Sequence, residues 1–184
     1  LTLKHGFKAQ SERTASKFRG ELGLAASDAL DPRVLAEHLG VAVVDAGSLI
    51  AVEELEELER IQAYSFSAAT FDISARKIIV VSPLRSRGRQ NSDIAHELSH
   101  VILDHDLSEV RELAGMPFRT CKPEEEEEAT ALGGALLLPR DLLMSAARRN
   151  ATIEQIADQY LVTSEMARYR YNTTGVAKQV SRTR

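Results

Sequence analysis

Apolar positions along the chain change their period several times, and each change marks an element. Ala15, Phe18 and Leu22 recur at three- and four-residue spacing, which predicts an amphipathic helix over 11–23 closed by Gly23. Asp31-Pro32 opens a second helix, because Asp caps well and Pro is tolerated in the first turn. It runs to about Leu39 and stops at Gly40. Val41–Val44 is a short apolar, β-branched run and predicts a buried strand. Glu53–Arg60, rich in Glu and Leu, predicts a charged exposed face on a short helix or a solvated loop. Gln62–Ser67 and Lys77–Ser82 read as two strands of a hairpin around Ala68–Arg76, with Pro83 ending the second.

In the second half the helical period returns. Ile94, Ala95, Leu98, Val101 and Ile102 define one apolar face, with Ser92 as N-cap and Asp93 in the first turn. Arg85, Arg87 and Arg89 precede it in a Gly-containing stretch that reads as a solvated loop or a docking site for an acidic peptide. Leu107–Lys122, with Gly115 and Pro117, has no clear period and reads as a loop with one helical turn near Val110–Leu113. Pro123 opens a further helix whose first turns hold Glu124 to Glu128, as the helix dipole favours. Ala129, Leu132, Gly133 and Leu136 are its inward face. In 151–175, Ile153, Ile156, Ala157 and Tyr160 form one face, Leu161-Val162 a turn, and Thr163 or Ser164 a new N-cap. That is the rhythm of a helix-turn-helix. The pattern as a whole is α+β: mostly helical with a small sheet or hairpin, a main domain over 11–150, and C-terminal helices over 151–175 packed on it.

At 43% hydrophobic and 27% charged residues the composition is that of an ordinary globular chain. No apolar run approaches the ~20 residues of a membrane span, and LTLKHGFKAQ lacks the apolar core of a signal peptide. The chain begins with Leu rather than Met. Cys121 is the only cysteine, which excludes internal disulfides and a Cys-rich zinc site. Nothing around it argues for thiol chemistry, and the expected compartment is the cytoplasm. A net charge of −4 weighs against direct DNA contact, although Arg168 and Arg170 lie on the second helix of the helix-turn-helix.

The chemistry enters with His96-Glu97-Leu98-Ser99-His100. Residues four apart lie one turn above each other, so His96 and His100 can turn two imidazole nitrogens to one metal ion. Glu97 lies about 100° round the helix and can flank that ion without binding it. Two packed histidines, each satisfied by a hydrogen bond, would be the bland alternative. A zinc ion on two histidines needs a third protein ligand. Stepping back from the inward face of the glutamate-rich helix places Glu126 and Glu125 nearest; Glu127 points away and Glu128 sits at the margin. Gly133-Gly134 is costly within a helix, and small residues there would let this helix approach the histidine helix closely.

HELSHVILDH followed by EEEATALGGALLLP resembles the ImmA/IrrE family of bacterial and phage zinc metallopeptidases. The family pattern is H-E-L-x-H, a histidine five residues later, and a helix reading E-x-x-A-[ND]-x-F-A-A-x-L-L-M-P. The resemblance implies a zincin-like fold and one Zn²⁺ per chain. It implies His96, His100 and Glu126 as metal ligands and Glu97 as the general base. His105 matches the family's extra histidine and is read as touching a ligand rather than the ion. The family's Asn or Asp is Thr130 here, and its Phe and two alanines are Leu132, Gly133 and Gly134.

The expected function is a zinc-dependent endopeptidase. Its protein substrate, as the resemblance implies, is a helix-turn-helix repressor whose cleavage derepresses stress or mobile-element genes. His105 and Tyr64 are the candidates for help at the developing oxyanion. The alternative is a regulatory DNA- or protein-binding module that keeps the zincin-like fold, motivated by Thr130 and the Arg-bearing last helices.

Overall fold

Capping chemistry sets where the first helices begin and end. In the computed structural model, which describes residues 3–73, 76–105, 109–113, 116–120 and 122–181 (109–113 and 116–120 as backbone), α1 spans Phe7–Glu21. It starts one turn before the expected position because Gly6, at φ 83°, turns the chain into it and buries Phe7. The Asp31 side chain accepts from Arg33 N at 2.9 Å and caps α2, Pro32–His38, as its sequence predicts.

The sheet is three-stranded, in the order β1 (Ala42–Asp45), β3 (Arg76–Val81), β2 (Ala68–Ile73). β1 runs parallel to β3, and β2 antiparallel with Thr70 opposite Ile79. The first hairpin strand therefore lies six residues later than Gln62–Ser67. That segment is a turn: Tyr64 has φ 61° and its N–H donates to Glu59, which no ladder strand allows. Between β1 and β2, Glu53–Arg60 belongs to a helix, α3 (Val52–Ile61), whose Leu55 alone is buried.

The histidine helix, α4, spans Arg87–Ile102 and begins well before Ser92. Ser86 caps it, accepting from Arg89 N at 3.3 Å, and Ser92 bonds back to Gly88 O at 2.9 Å inside the helix. Gly88 lies within the helix, at a position with no room for a side chain: a Cβ would lie 2.8 Å from the Val162 carbonyl oxygen. The expected arginine loop is likewise taken up by ion pairs. Arg85 forks onto Glu59 at 2.9 and 2.7 Å, holding that carboxyl below its ordinary range, while Arg89 reaches Asp93 at 2.9 Å.

Within Leu107–Lys122 the described residues are not the expected loop. They form an antiparallel pair, β4 (Glu109–Leu113) and β5 (Met116–Thr120), with Pro117 opposite Glu112. In a two-stranded ribbon each strand is an edge, and there Pro is tolerated. Gly115 and Cys121 lie outside the described residues.

Helix α5, Pro123–Leu137, crosses α4 almost backbone to backbone: a Cβ on Gly133 would meet Ala95 C at 3.1 Å. Ile94, Leu98, Leu132 and Leu136 fill the core beside this crossing. After α6 (Arg140–Arg148), α7 (Ile153–Tyr160) and α8 (Ser164–Thr173) form the expected pair, with Leu161 at φ 51° and Thr163 as cap, before α9 (Val176–Ser181). The face of α8 that carries Arg170 is packed away. A Cβ on Gly134 would meet Arg170 Cδ at 2.6 Å, and the guanidinium donates to Leu138 O at 3.0 Å and to Glu12. The architecture is α+β and mostly helical, as the sequence pattern predicts. Among the described residues no helix is long and apolar enough to cross a membrane.

Candidate metal centre

The α4–α5 crossing brings three donors together. His96 Nε2 lies 3.1 Å from His100 Nε2 and 3.1 Å from Glu126 Oε2, and His100 Nε2 is 3.5 Å from Glu126 Oε1. One donor atom from each lies within 4.8 Å of the others, the spacing of a group that could hold a metal ion. Two imidazoles and a carboxylate are the N/O set that zinc and related divalent ions accept, so the residues fit such an ion. The depth is uneven: His100 is 2% exposed, whereas the Glu126 side chain is 47% exposed.

The glutamate-rich helix sorts its carboxylates by what each touches. Glu125 Oε2 accepts from Lys122 N at 3.3 Å, closing the start of α5, and so turns from the histidines. Glu126 faces them. Glu128, expected at the margin, is 8% exposed and lies deeper than either. Its Oε2 is 3.3 Å from His105 Nε2 and its Oε1 takes an ion pair with Lys4 at 3.0 Å. His105 Nδ1 in turn lies 2.9 Å from His100 Nδ1. A chain of contacts thus runs Lys4–Glu128–His105–His100, ending on the ring nitrogen of His100 that faces away from Glu126.

Burial opposes charge on His96, but the hydrogen bond its ring donates to Glu126 and the charges of Glu97, Glu126 and Asp93 outweigh it, leaving its pKa above the ordinary value. Glu97, the residue after His96, accepts from Thr70 Oγ1 at 2.5 Å across to β2. The sequence singles out neither Thr70 nor Lys4, and it places Glu128 only at the margin of the inward face. Thr70 had been placed between strands, and Glu128 and Lys4 are joined by a contact 124 positions long that no local period encodes. Thr130 lines a groove of about 670 Å³ with Lys4, Lys8, Glu126 and Tyr169, and its hydroxyl bonds neither histidine. Tyr64 is exposed and stacks beneath Arg85.

A solved Mycobacterium tuberculosis transcriptional regulator has a similar fold, with TM-score 0.52 and 17% identity. The match covers 91% of this chain and 47% of that one, so this chain spans about half the regulator's length. No curated protein matches the sequence. The model of the IrrE N-terminal-like domain matches residues 53–172, from α3 through the crossing and most of α8. With the match covering well over half its length, and both helices of the donor cluster inside it, this chain belongs to the peptidase family Peptidase_M78, the IrrE N-terminal-like domain family.

Proposed function

We propose that the chain is a zinc-dependent endopeptidase, with Zn²⁺ held by His96, His100 and Glu126 and Glu97 as the general base. The observation that carries this reading is the convergence of those three donors within 4.8 Å, next in sequence to a carboxylate that is not one of them. When bound, the ion would lower the pKa of a water molecule and polarise the scissile carbonyl. Glu97 takes the proton from that water and passes it to the leaving amine.

The surrounding residues prepare the ligands. An imidazole that offers Nε2 to a cation carries its proton on Nδ1. His100 then donates from Nδ1 to His105 Nδ1, His105 donates from Nε2 to Glu128, and Lys4 neutralises that carboxylate. One set of tautomers satisfies the whole chain, and it leaves the His100 Nε2 lone pair facing Glu126 and His96. Such outer contacts fix ring orientation and raise ligand basicity.

The substrate belongs to the same proposal: a helix-turn-helix repressor, on the family resemblance. So do the cytoplasmic setting, argued from the lone cysteine, and the reading of 151–175 as helices packed on the 11–150 domain. In support of that packing, Arg170 reaches Glu12 and Leu138 rather than solvent. The same contact removes one of the two arginines that motivated DNA binding. The test is cleavage: zinc-loaded wild type and Glu97→Gln protein are incubated with the cell's own soluble proteins, and new N-termini are identified by mass spectrometry. Cuts in a repressor made by wild type alone are the expected result. Identical N-termini in both samples would remove the peptidase reading.

A further inference from the structure

Strand β2 has one buried position, and a hydroxyl occupies it. Along Ala68–Ile73 only Thr70 is buried, at 6% exposure, opposite the fully buried Ile79 of β3. The β-branched neighbours on the sheet, Ile78 to Val81, are aliphatic, and Val has nearly the shape of Thr. Nothing in the packing asks for oxygen there. A buried hydroxyl without a partner costs free energy that a methyl group does not. Its partner is the Glu97 carboxylate, at 2.5 Å from Thr70 Oγ1. That is the short range of a hydroxyl donating to an ionised acceptor, roughly twice as strong as a neutral pair.

We propose that Thr70 is a positioning residue for Glu97: its hydroxyl pins Oε2, so that Oε1 is presented to the water from which Glu97 takes a proton. The inference rests on the peptidase reading for what Glu97 does, but not for the contact itself. Geometry gives the reason such a clamp matters. Glu97 reaches the site from the flank of α4, on a side chain with three free torsions, and a general base must lie within about 3 Å of its proton. A misplacement of about 1 Å costs on the order of 10²-fold in rate. Asp93, one turn earlier on α4, is held from the same side by Ser67, the residue just before β2. The edge of the sheet thus grips two successive carboxylates of the helix, of which Glu97 is the one beside the metal donors.

Three substitutions separate positioning from packing. Thr70→Val keeps the volume and removes the donor; Thr70→Ser keeps the donor and removes the methyl group. If Thr70 serves only the core, Val is tolerated and Ser is the damaging change. If Thr70 positions Glu97, the order reverses. In metal-free protein, a double-mutant cycle of Thr70→Val with Glu97→Ala, read by urea unfolding, is expected to show a coupling of about tenfold or more in the unfolding equilibrium constant. Additive effects would overturn the proposal, whatever the protein does to peptides. With zinc-loaded protein and fluorescein-labelled casein as the probe, Thr70→Val is expected to lower kcat by about 10–100-fold with KM and zinc content unchanged. Thr70→Ser is expected to recover most of that loss. Equal kcat for wild type and Thr70→Val would also sink the proposal. A zinc-loaded wild type that cuts neither casein nor any of the cell's soluble proteins while the unfolding coupling is present counts against the peptidase reading and leaves the Thr70–Glu97 clamp standing.

Discussion

Two helix pairs meet in this chain, and they use close approach for opposite ends. In α4–α5, Gly133 lets backbone approach backbone, and the side chains flanking that contact turn toward each other: His96 and His100 from one helix, Glu126 from the other. In α7–α8 the rhythm is that of a DNA reader, yet the second helix spends its Arg170 face on α5, Leu138 and Glu12. A metal site needs donors converging between helices, whereas a groove reader needs them diverging from one. The first pair brings its donors together, whereas the second keeps the helix-turn-helix pairing but packs its Arg170 face away.

Releasing the second pair from α1 and α5 is expected to have the largest effect on stability. Arg170→Ala leaves the Leu138 carbonyl and the part-buried Glu12 without their cation, which should cost about 3 kcal/mol by urea unfolding. If α8 were instead held loosely, as a reading helix could be, the loss would stay below about 0.5 kcal/mol. Gly133→Ala attacks the first pair: its methyl meets the Ala95 and His96 backbone at 3.1 Å, so overpacking should cost about 2 kcal/mol and weaken zinc binding together with stability. Calorimetry and chelator competition on the same variant would check that the two losses travel together.

Glu128→Ala tests the outer contacts of the first pair: it should lower zinc affinity about tenfold and cost about 1 kcal/mol of stability, because buried His105 loses its acceptor. Next comes pH. In metal-free protein the raised His96 value means that its stabilising contribution is present below about pH 6.5 and is lost as pH rises through the higher folded value. Zinc binding runs the other way, because the proton and the ion compete for the same nitrogen. Thermal melts of both forms across that range should therefore slope in opposite directions. The smallest effect belongs to Arg168→Ala. Its side chain is exposed and meets Glu154 only at 3.8 Å, so stability should change by less than about 0.5 kcal/mol. Retention on a DNA column should not change, and a clear drop would restore the reading role to α8.

The parts legible in the sequence were those governed by local rules. The helical period gave α4 and the inward face of α5, and the four-residue spacing put His96 and His100 together. Asp31-Pro32 gave the start of α2. Where a long-range contact decided the outcome, the local reading failed. Ser92 is a good cap, but Ser86 caps α4 because the next turn, at Gly88, fits against Val162. The glutamates of α5 differ little in sequence, and what separates them is external: Lys122 N for Glu125, the histidines for Glu126, His105 and Lys4 for Glu128. Gln62–Ser67 has the composition of a strand, but its backbone is turned by the bond from Tyr64 N to Glu59. The pair β4–β5 was hidden by Pro117, which the period rules count against a strand although a free edge accommodates it.

The uneven depth of the donor cluster also fixes how an ion would come and go. His100 is walled in, and its outer nitrogen is tied back to His105, so it cannot swing aside without opening the core. Glu126, by contrast, has nearly half its side chain in solvent. If these residues hold an ion as proposed, Glu126 is the most exposed of the three donors and the one expected to release it first. A chelator would strip the site quickly at temperatures where the protein is far from melting, and reloading would need no refolding.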